Sequence, residues 1–479
     1  MKEYVKKQLD NAPKLTMENA LIVEAYGKAL ENLLCINTVP CSMDVYNKTG
    51  LLDENLPLMI RAGGGYETPW TRDASVNTMN AACFLEPEVA KNTLWVVCER
   101  VDGKLCFQLD NQKWDKIVWA IGAWQYFLAT GDKAFLQDAY HTVKNSLEVL
   151  EQVQFNETYG LFTGGSFFND GITGYPKAVH EEGKESSFVG DHKPTEYIMT
   201  LSTNCLYYAS YRILEKMVAV LGIEGEKENY IQKGTKLKNA INQFLWNEKT
   251  GKYDYFLYPN GTIDDSQEGC GVSFASLFEL NEEAKIRKML SECVRSEVGL
   301  VSIWPPFEGL SSLERPIRHN NLIWTMVNGY FANAVAKYGL YEILGKEIES
   351  MAQLAMDSKG FYEIYNPMTK KPDGGWQVGC QWDSVPNQTW SATAFISSIV
   401  YGVFGIRLSE TGISFQPCLP ENFGTVQLNG ITFRNITLDI KLQGVGSKVK
   451  EIKINGEKEE KISFEKEGNY QVEIVLENN

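Results

Sequence analysis

The sequence predicts a mainly α-helical protein, an (α/α)6 barrel followed by a small antiparallel β domain, on three observations. Roughly twelve helix-like segments run from about residue 16 to about residue 404. Short links between them alternate with long ones rich in glycine and aromatic residues. Beyond Gly405 the texture changes to the alternating apolar and polar pattern of strands.

The short links read Leu85-Glu86-Pro87-Glu88, Thr130-Gly131-Asp132, Leu221-Gly222-Ile223-Glu224, Leu280-Asn281-Glu282 and Tyr338-Gly339-Leu340. The long ones cover about 35–70, 100–113, 154–196, 247–268, 296–319 and 357–387. Odd and even connections of antiparallel helices emerge at opposite ends, so the long loops should gather on one face. Function usually sits on such loops. Helical periodicity is clearest in Asn111–Ala129, Lys133–Gln152, Tyr197–Leu221, Asn320–Tyr338 and Tyr341–Met356. Helix pairs in a ring make the barrel; an open superhelix of pairs is the competing architecture.

In the last part of the chain, Gly412–Gln416, Thr425–Leu428, Ile431–Gln443, Lys448–Ile454, Lys461–Phe464 and Tyr470–Leu476 read as strands, with turns at Asn429-Gly430 and Asn455-Gly456. The predicted division is therefore residues 1–405 as barrel and 406–479 as a β-sandwich-like accessory unit. No low-complexity linker separates them.

At 479 residues the chain can bury a large core. It has no run of about eighteen apolar residues. Met1-Lys2-Glu3-Tyr4 leads straight into charged sequence. A soluble, cytoplasmic protein is expected, or a secreted or periplasmic one if a signal has been removed. The net charge of −15 argues against nucleic acid or an anionic membrane as partner and favours a neutral ligand. The oligomeric state is open. Ten cysteines without a CxxC pair are expected to be reduced and buried. The four histidines lack ligand spacing, so no metal and no other cofactor is expected. The sequon Asn387-Gln388-Thr389 falls on the working face, where a glycan would block the site.

The first long loop ends in Gly63-Gly64-Gly65-Tyr66-Glu67-Thr68-Pro69-Trp70-Thr71-Arg72-Asp73-Ala74. Asp73 can be read as a helix cap with Arg72 solvated. A Trp beside an Arg-Asp pair is also what a sugar wants: a flat ring for its C–H face and charged groups for vicinal hydroxyls. The second loop places Asp110, Trp114 and Asp115 at a helix start. The third, Tyr159–Pro176, sets Asp170 among Phe167, Phe168 and Tyr175. A carboxyl in apolar surroundings has its pKa raised, as a general acid needs near neutrality. Its continuation through His180, Glu181, Glu182, Lys184, Glu185 and His192 reads as a mobile rim or an interface.

The last long loop holds Gly360-Phe361-Tyr362-Glu363-Ile364-Tyr365-Asn366-Pro367, then Trp376, then Gln381-Trp382-Asp383 and Gln388-Thr389-Trp390-Ser391. Trp304 to Glu308, with Arg318, His319, Asn320 and Trp324, forms another aromatic and polar wall. Glu268 opens a helix, as a cap or as a hydroxyl ligand. Several loops pairing aromatics with carboxylates or Arg on one face describe a carbohydrate pocket. Glycoside hydrolysis needs two carboxyl groups flanking the scissile bond. Asp170 and Glu363 come from hairpins on opposite sides of the expected ring.

At these residues the chain resembles the six-hairpin glycosidases: glucoamylase, trehalase, the processing α-glucosidase and the glucosidase part of glycogen debranching enzymes. Trp70-Thr71-Arg72-Asp73 is similar to the segment that binds the outer hydroxyls of the terminal sugar. Gln381-Trp382-Asp383 is similar to the trehalase signature, although the residues after it differ. Glu363-Ile364-Tyr365-Asn366-Pro367 followed by Trp390-Ser391 resembles the segment whose Glu is the catalytic base. Asp170 occupies the loop that supplies the acid, without the usual preceding Trp. The resemblance covers most of the helical region and implies hydrolysis of an O-glycosidic bond. The amino-terminal β domain common in that group is not expected within these residues.

The resulting expectation is an inverting, exo-acting glycoside hydrolase on an α-linked glucoside or related oligosaccharide. Asp170 is its acid and Glu363 its base, with roughly 6.5–9.5 Å between them. Trp70, Arg72, Asp73, Trp114, Asp115, Glu268, Trp304, Trp324, Gln381, Trp382, Asp383, Gln388 and Trp390 are the expected substrate ligands. The alternatives are an α-L-rhamnosidase or α-mannosidase on the same barrel, a sugar epimerase or polysaccharide lyase, and a noncatalytic saccharide-binding protein. Few histidines and an acidic surface count against the epimerase and the lyase.

Overall fold

Six helices whose flanks are buried nearly all round form an inner ring: Thr71–Asn77, Trp119–Thr130, Leu201–Leu221, Gly269–Leu277, Thr325–Lys337 and Thr389–Ser397. In this computed structural model, which describes residues 2–108, 112–307 and 316–477, each inner helix packs on the next and the last packs on the first. The ring is closed, which decides for the barrel over the open superhelix. Asp110 and Glu308 lie outside the described residues.

Around the ring stand Ala20–Glu31, Pro87–Val96, Lys133–Gln154, Lys227–Leu245, Glu283–Ser291 and Tyr341–Asp357. Apart from Pro87–Val96, which is buried over most of its length, these are one-faced. In Lys133–Gln154 the buried positions Phe135, Leu136, Ala139, Tyr140, Val143, Ser146, Leu147 and Leu150 recur at three and four, the spacing of a stripe facing a core. The inner helices carry small residues where they touch. A Cβ on Gly122 would come within 2.6 Å of Ser75 Oγ, and one on Gly329 would overlap Ala394 of the neighbouring inner helix.

Short links do two jobs in few residues. In Thr130-Gly131-Asp132, Gly131 adopts φ +73 and ends one helix, while Asp132 Oδ1 accepts the Phe135 N–H at 2.9 Å and caps the next. Every inner helix begins where a long loop ends, so the long loops share one end of the barrel. Three helices start later than their periodicity predicts, at Trp119, Leu201 and Thr325. The apolar residues just before them wall the loop end instead: Trp324, for example, pairs in a short ladder with Ile364.

The C-terminal strands form two sheets, one of three strands and one of five that the amino-terminal strand Lys14–Thr16 extends to six at its edge. They pack on the end of the barrel that carries the short links. Arg434 donates from its backbone N–H to Ala129 O at 2.8 Å and from Nε to Leu128 O at 3.2 Å, satisfying carbonyls at a helix C-terminus. Asn429-Gly430 is not a turn. It is a bulge within strand Val426–Phe433, with the Gly430 N–H held by Asp439 Oδ1 at 2.8 Å, and the hairpin reverses at Arg434-Asn435. Asn455-Gly456 does turn, with φ +52 and +84. All ten cysteines are free. No helix among the described residues is long and apolar enough to cross a membrane.

Candidate active site

The loop end encloses a cavity of about 330 Å³. Tyr66, Trp70, Arg72 and Asp73 reach it from the first long loop and the helix it feeds, and Phe168, Asp170 and Phe188 from the third. Arg318, His319 and Trp324 come from the fifth, and Glu363, Gln388 and Trp390 from the last.

Asp170 follows Phe168, whose φ of +55 turns the chain so that the carboxylate faces the cavity while Phe167 is buried in the core. The turn is held from behind: Tyr175 OH accepts the Ser166 N–H and donates to Asn169 O, both at 2.8 Å, and Asn169 Nδ2 donates to Tyr255 OH at 2.9 Å. Asp170 Oδ2 meets Arg72 Nη2 at 3.4 Å and Oδ1 meets His319 Nε2 at 2.9 Å. Burial pushes this carboxyl up, but His319 and the guanidinium charges of Arg72 and Arg318 outweigh it and hold it well below the usual carboxylate range. The apolar setting predicted from the neighbouring Phe and Tyr residues is therefore overturned: Phe167 and Tyr175 are buried away from the cavity, and although Phe168 lines it, the guanidinium groups of Arg72 and Arg318 set the charge around Asp170.

Glu363 is buried and lies across the same cavity. Its Oε1 accepts from Tyr66 OH and its Oε2 from Arg318 Nη2, both at 3.2 Å. Burial raises its pKa, Arg318 opposes the rise and Asp170 adds to it. Arg318 is itself fixed between rings, 5.1 Å from the centroid of Trp324 and 5.6 Å from that of Trp382. The two carboxylates share no hydrogen bond, and each has its own arginine.

Asp73 is buried with Oδ1 unpartnered among the described residues, and burial lifts its pKa to about 7, against the pull of Arg72. Gln388 Oε1, Trp324 Nε1 and Trp390 Nε1 are likewise buried without partners among the described residues. Buried polar atoms are normally satisfied, so this set of donors and acceptors around a cavity is what a polyhydroxylated ligand would complete. Gly63 makes room for it: a Cβ there would overlap Gln388 Oε1.

Of the sequence-predicted residues, Trp70, Arg72, Asp73, Asp170, Trp324, Glu363, Gln388 and Trp390 meet at the cavity. Trp114 and Asp115 stand behind its wall. Trp114 stacks on the outer side of Phe188, with centroids 6.4 Å apart, and donates Nε1–H to Ser166 O. Asp115 Oδ2 holds Arg72 at 3.2 Å and accepts the Phe168 N–H at 3.1 Å, so it positions both the clamp and the Asp170 turn.

Glu268 does not line the cavity. Its Oε2 accepts the Ser202 N–H at the start of the neighbouring inner helix, and burial raises its pKa to about 8. Trp304, Gln381, Trp382 and Asp383 are exposed and do not line the cavity; Trp382 reaches the site only through Arg318. Tyr66, Gln112, Phe168, Phe188, Arg318 and His319 line it and were not among the expected ligands. Arg318 and His319 carry a readable signal, adjacent polar residues close in sequence to a Trp at a helix start, as Arg72 and Asp73 are to Trp70. Phe188 carries none, lying on a loop with no periodicity. Among the described residues no group of three His, Cys, Asp or Glu side chains is placed to hold a metal ion.

Comparison with known proteins adds the following. Residues 114–391 match the family described as mannosylglycerate hydrolase MGH1-like glycoside hydrolase domain. No curated protein sequence matches. Among solved structures, a sialidase is similar with TM-score 0.66 and 14% identity, over 91% of this chain and 38% of its own. A GH63 mannosylglycerate hydrolase from Thermus thermophilus, in complex with glucose, has TM-score 0.57 and 13% identity, over 78% of this chain and 99% of its own. A GH78 family rhamnosidase of Bacillus sp. GL1 has TM-score 0.56 and 14% identity, over 91% of this chain and 42% of its own. The chain thus spans about two fifths of the sialidase and of the rhamnosidase. At such identities the likeness is one of fold.

Proposed function

The chain belongs to the mannosylglycerate hydrolase MGH1-like glycoside hydrolase family, and from that premise we propose that it is an inverting, exo-acting hydrolase. Its substrate is an α-linked glucoside or a related short saccharide. Asp170 gives its proton to the glycosidic oxygen while Glu363 takes one from a water attacking the anomeric carbon. The carbon–oxygen bond to the leaving group breaks as the bond to water forms on the opposite face. Room for that water calls for roughly 6.5–9.5 Å between the carboxyls. Arg72 and Asp73 hold the nonreducing end, and Trp70, Trp324 and Trp390 supply apolar faces.

The observation that carries the reading is the meeting of Asp170 and Glu363, from loops far apart in sequence, across one aromatic-walled cavity with unpartnered polar atoms. The family description names mannosylglycerate, which favours an α-mannoside as the second reading. We further place the catalytic unit at residues 1–405 and an accessory unit at 406–479, the latter completed by strand Lys14–Thr16. Ten unpaired cysteines fit a reducing compartment, the cytoplasm.

A panel of p-nitrophenyl α-glycosides, with proton NMR of the first-formed anomer, tests sugar and stereochemistry. Asp170→Asn and Glu363→Gln should each reduce turnover by at least about a hundredfold. Undiminished activity in either removes that assignment.

A further inference from the structure

His319 occupies a place that the local structure goes out of its way to provide. Its backbone sits at φ +61, a conformation non-glycine residues adopt rarely and mostly where something holds them there. Its ring is 2% exposed and stacks on Trp324, with centroids 4.7 Å apart and planes 27° from parallel. It fits only because residue 171 is glycine, since a Cβ there would overlap His319 Cδ2 and Gln377 Oε1. Among the described residues its ring makes one polar contact, Nε2 to Asp170 Oδ1 at 2.9 Å. The approach lies off the ring N–H axis, so neither ring nitrogen makes an aligned hydrogen bond.

We infer that His319 and Asp170 hold one proton between them, and that His319 is the positioning residue that keeps this proton available for transfer from Asp170 to the glycosidic oxygen. The inference rests on Asp170 being the general acid. The charged and titratable groups facing the pair are Arg72, with Asp73 and Asp115 beside it, Arg318, and Glu363 with Tyr66. Two arginines next to a lone carboxyl would strip its proton well below neutrality, leaving an acid catalyst without a proton. An imidazole in contact offers the proton a second seat: burial and the charges of Arg318 and Arg72 lower the His319 pKa, and its contact with Asp170 opposes them. The states His–AspH and HisH⁺–Asp⁻ have the same charge, so the pair titrates as a unit.

In the reaction the pair's proton leaves from Asp170 to the departing oxygen, and Glu363 gains one from water. The next cycle begins when Glu363 gives up its proton to solvent and the pair takes one up. Trp324 links the two halves, carrying His319 by stacking and Arg318 by its face.

The test uses the full chain with His319→Asn, since Asn tolerates the left-handed backbone best, and His319→Gln beside it, with Tm measured for both. The substrates are the methyl and the dinitrophenyl glycosides of the sugar that the unmodified enzyme cleaves. A dinitrophenolate departs without help from an acid. The variants should lose at least about tenfold in kcat/KM on the methyl glycoside, little on the dinitrophenyl glycoside, and the alkaline limb of the methyl-glycoside profile should move to lower pH. Equal losses on both substrates with an unmoved limb would mean a merely structural histidine and overturn the inference.

A second measurement needs no change at His319. In protein carrying nitrogen-labelled histidine, Asp170→Asn should lower the His319 titration midpoint by about one pH unit or more, and an unmoved midpoint overturns the inference. If Asp170→Asn cleaves the methyl glycoside as well as the unmodified enzyme does, the acid assignment fails and takes this inference with it.

Discussion

Glu86 stands in the first short link, between Cys83–Leu85 and Pro87–Val96, and is completely buried. Oε1 accepts from Thr38 Oγ1 at 2.7 Å and Oε2 has no partner among the described residues. Burial, opposed only in part by the Thr38 hydrogen bond, raises its pKa from 4.5 to about 8. Between those values the folded chain keeps a proton that the unfolded chain has lost. Folded protein then binds more protons than unfolded, so stability falls as pH rises. The contribution is whole below the unfolded value and gone once pH passes about 8. Each pH unit inside the window costs about 1.4 kcal/mol, so about 3 kcal/mol separates pH 5 from pH 7.

Glu86→Gln keeps the shape and removes the titration. Urea unfolding of both proteins at pH 5, 7 and 8.5 would measure it. The variant should gain on the parent by about 3 kcal/mol between the first two conditions, whatever their difference at pH 5. Parallel curves would show that Glu86 folds as a carboxylate and that the burial argument fails.

Arg318→Lys removes a guanidinium that meets Glu363 Oε2, Gly374 O and two indole faces together. An ammonium cannot match that fork, so kcat should fall by about tenfold. Glu363, less well neutralised, should have its pKa raised further, moving the acidic limb of kcat/KM to higher pH; an unmoved limb would separate Arg318 from the base. Gly329→Ala pushes a methyl into Ala394 on the adjacent inner helix. Despite better helix propensity it should lower unfolding stability by about 1–2 kcal/mol, and an unchanged or raised midpoint would show that the ring can open to admit it.

The ring and its working end were legible because they rest on connection length, which survives any detail of packing. Gly131 and Asp132 announce a helix end and a helix start in adjacent residues. The same holds for Trp70-Arg72-Asp73 and for Glu363, which are local motifs. What was not legible depends on contacts between distant segments. Glu268 looked like the other loop carboxylates, and only the approach of Ser202, sixty-six positions away, makes it a helix cap. Asn429-Gly430 has the composition of a hairpin turn, but Asp439 takes the Gly430 N–H and the strand continues through a bulge. Asp170 was read from its sequence neighbours Phe167 and Phe168, whereas its electrostatics come from Arg72, Arg318 and His319. Sequence proximity is a poor guide to what a side chain in a loop faces, because each turn re-aims it.

That lesson bears on how the cavity is charged. Asp115, Arg72 and Asp170 form one run of alternating charge that ends on His319, and Arg318 and Glu363 form a second that ends on Tyr66, each carboxylate with a cation or donor of its own. Asp73 is the exception. It lies beside Arg72 in sequence, but Oδ1 has no partner among the described residues and its pKa of about 7 leaves it divided between two states near neutrality. Ionised, it accepts from a sugar hydroxyl; protonated, it donates to one. A hydroxyl can do either, so a bound sugar satisfies Asp73 in both states. The state that binding selects follows from charge. A neutral ligand brings no cation to replace the water it displaces, so filling the cavity favours the protonated form. The affinity of a neutral, unreactive sugar should therefore decline as pH rises through about 7, and Asp73→Asn should bind it with no such decline.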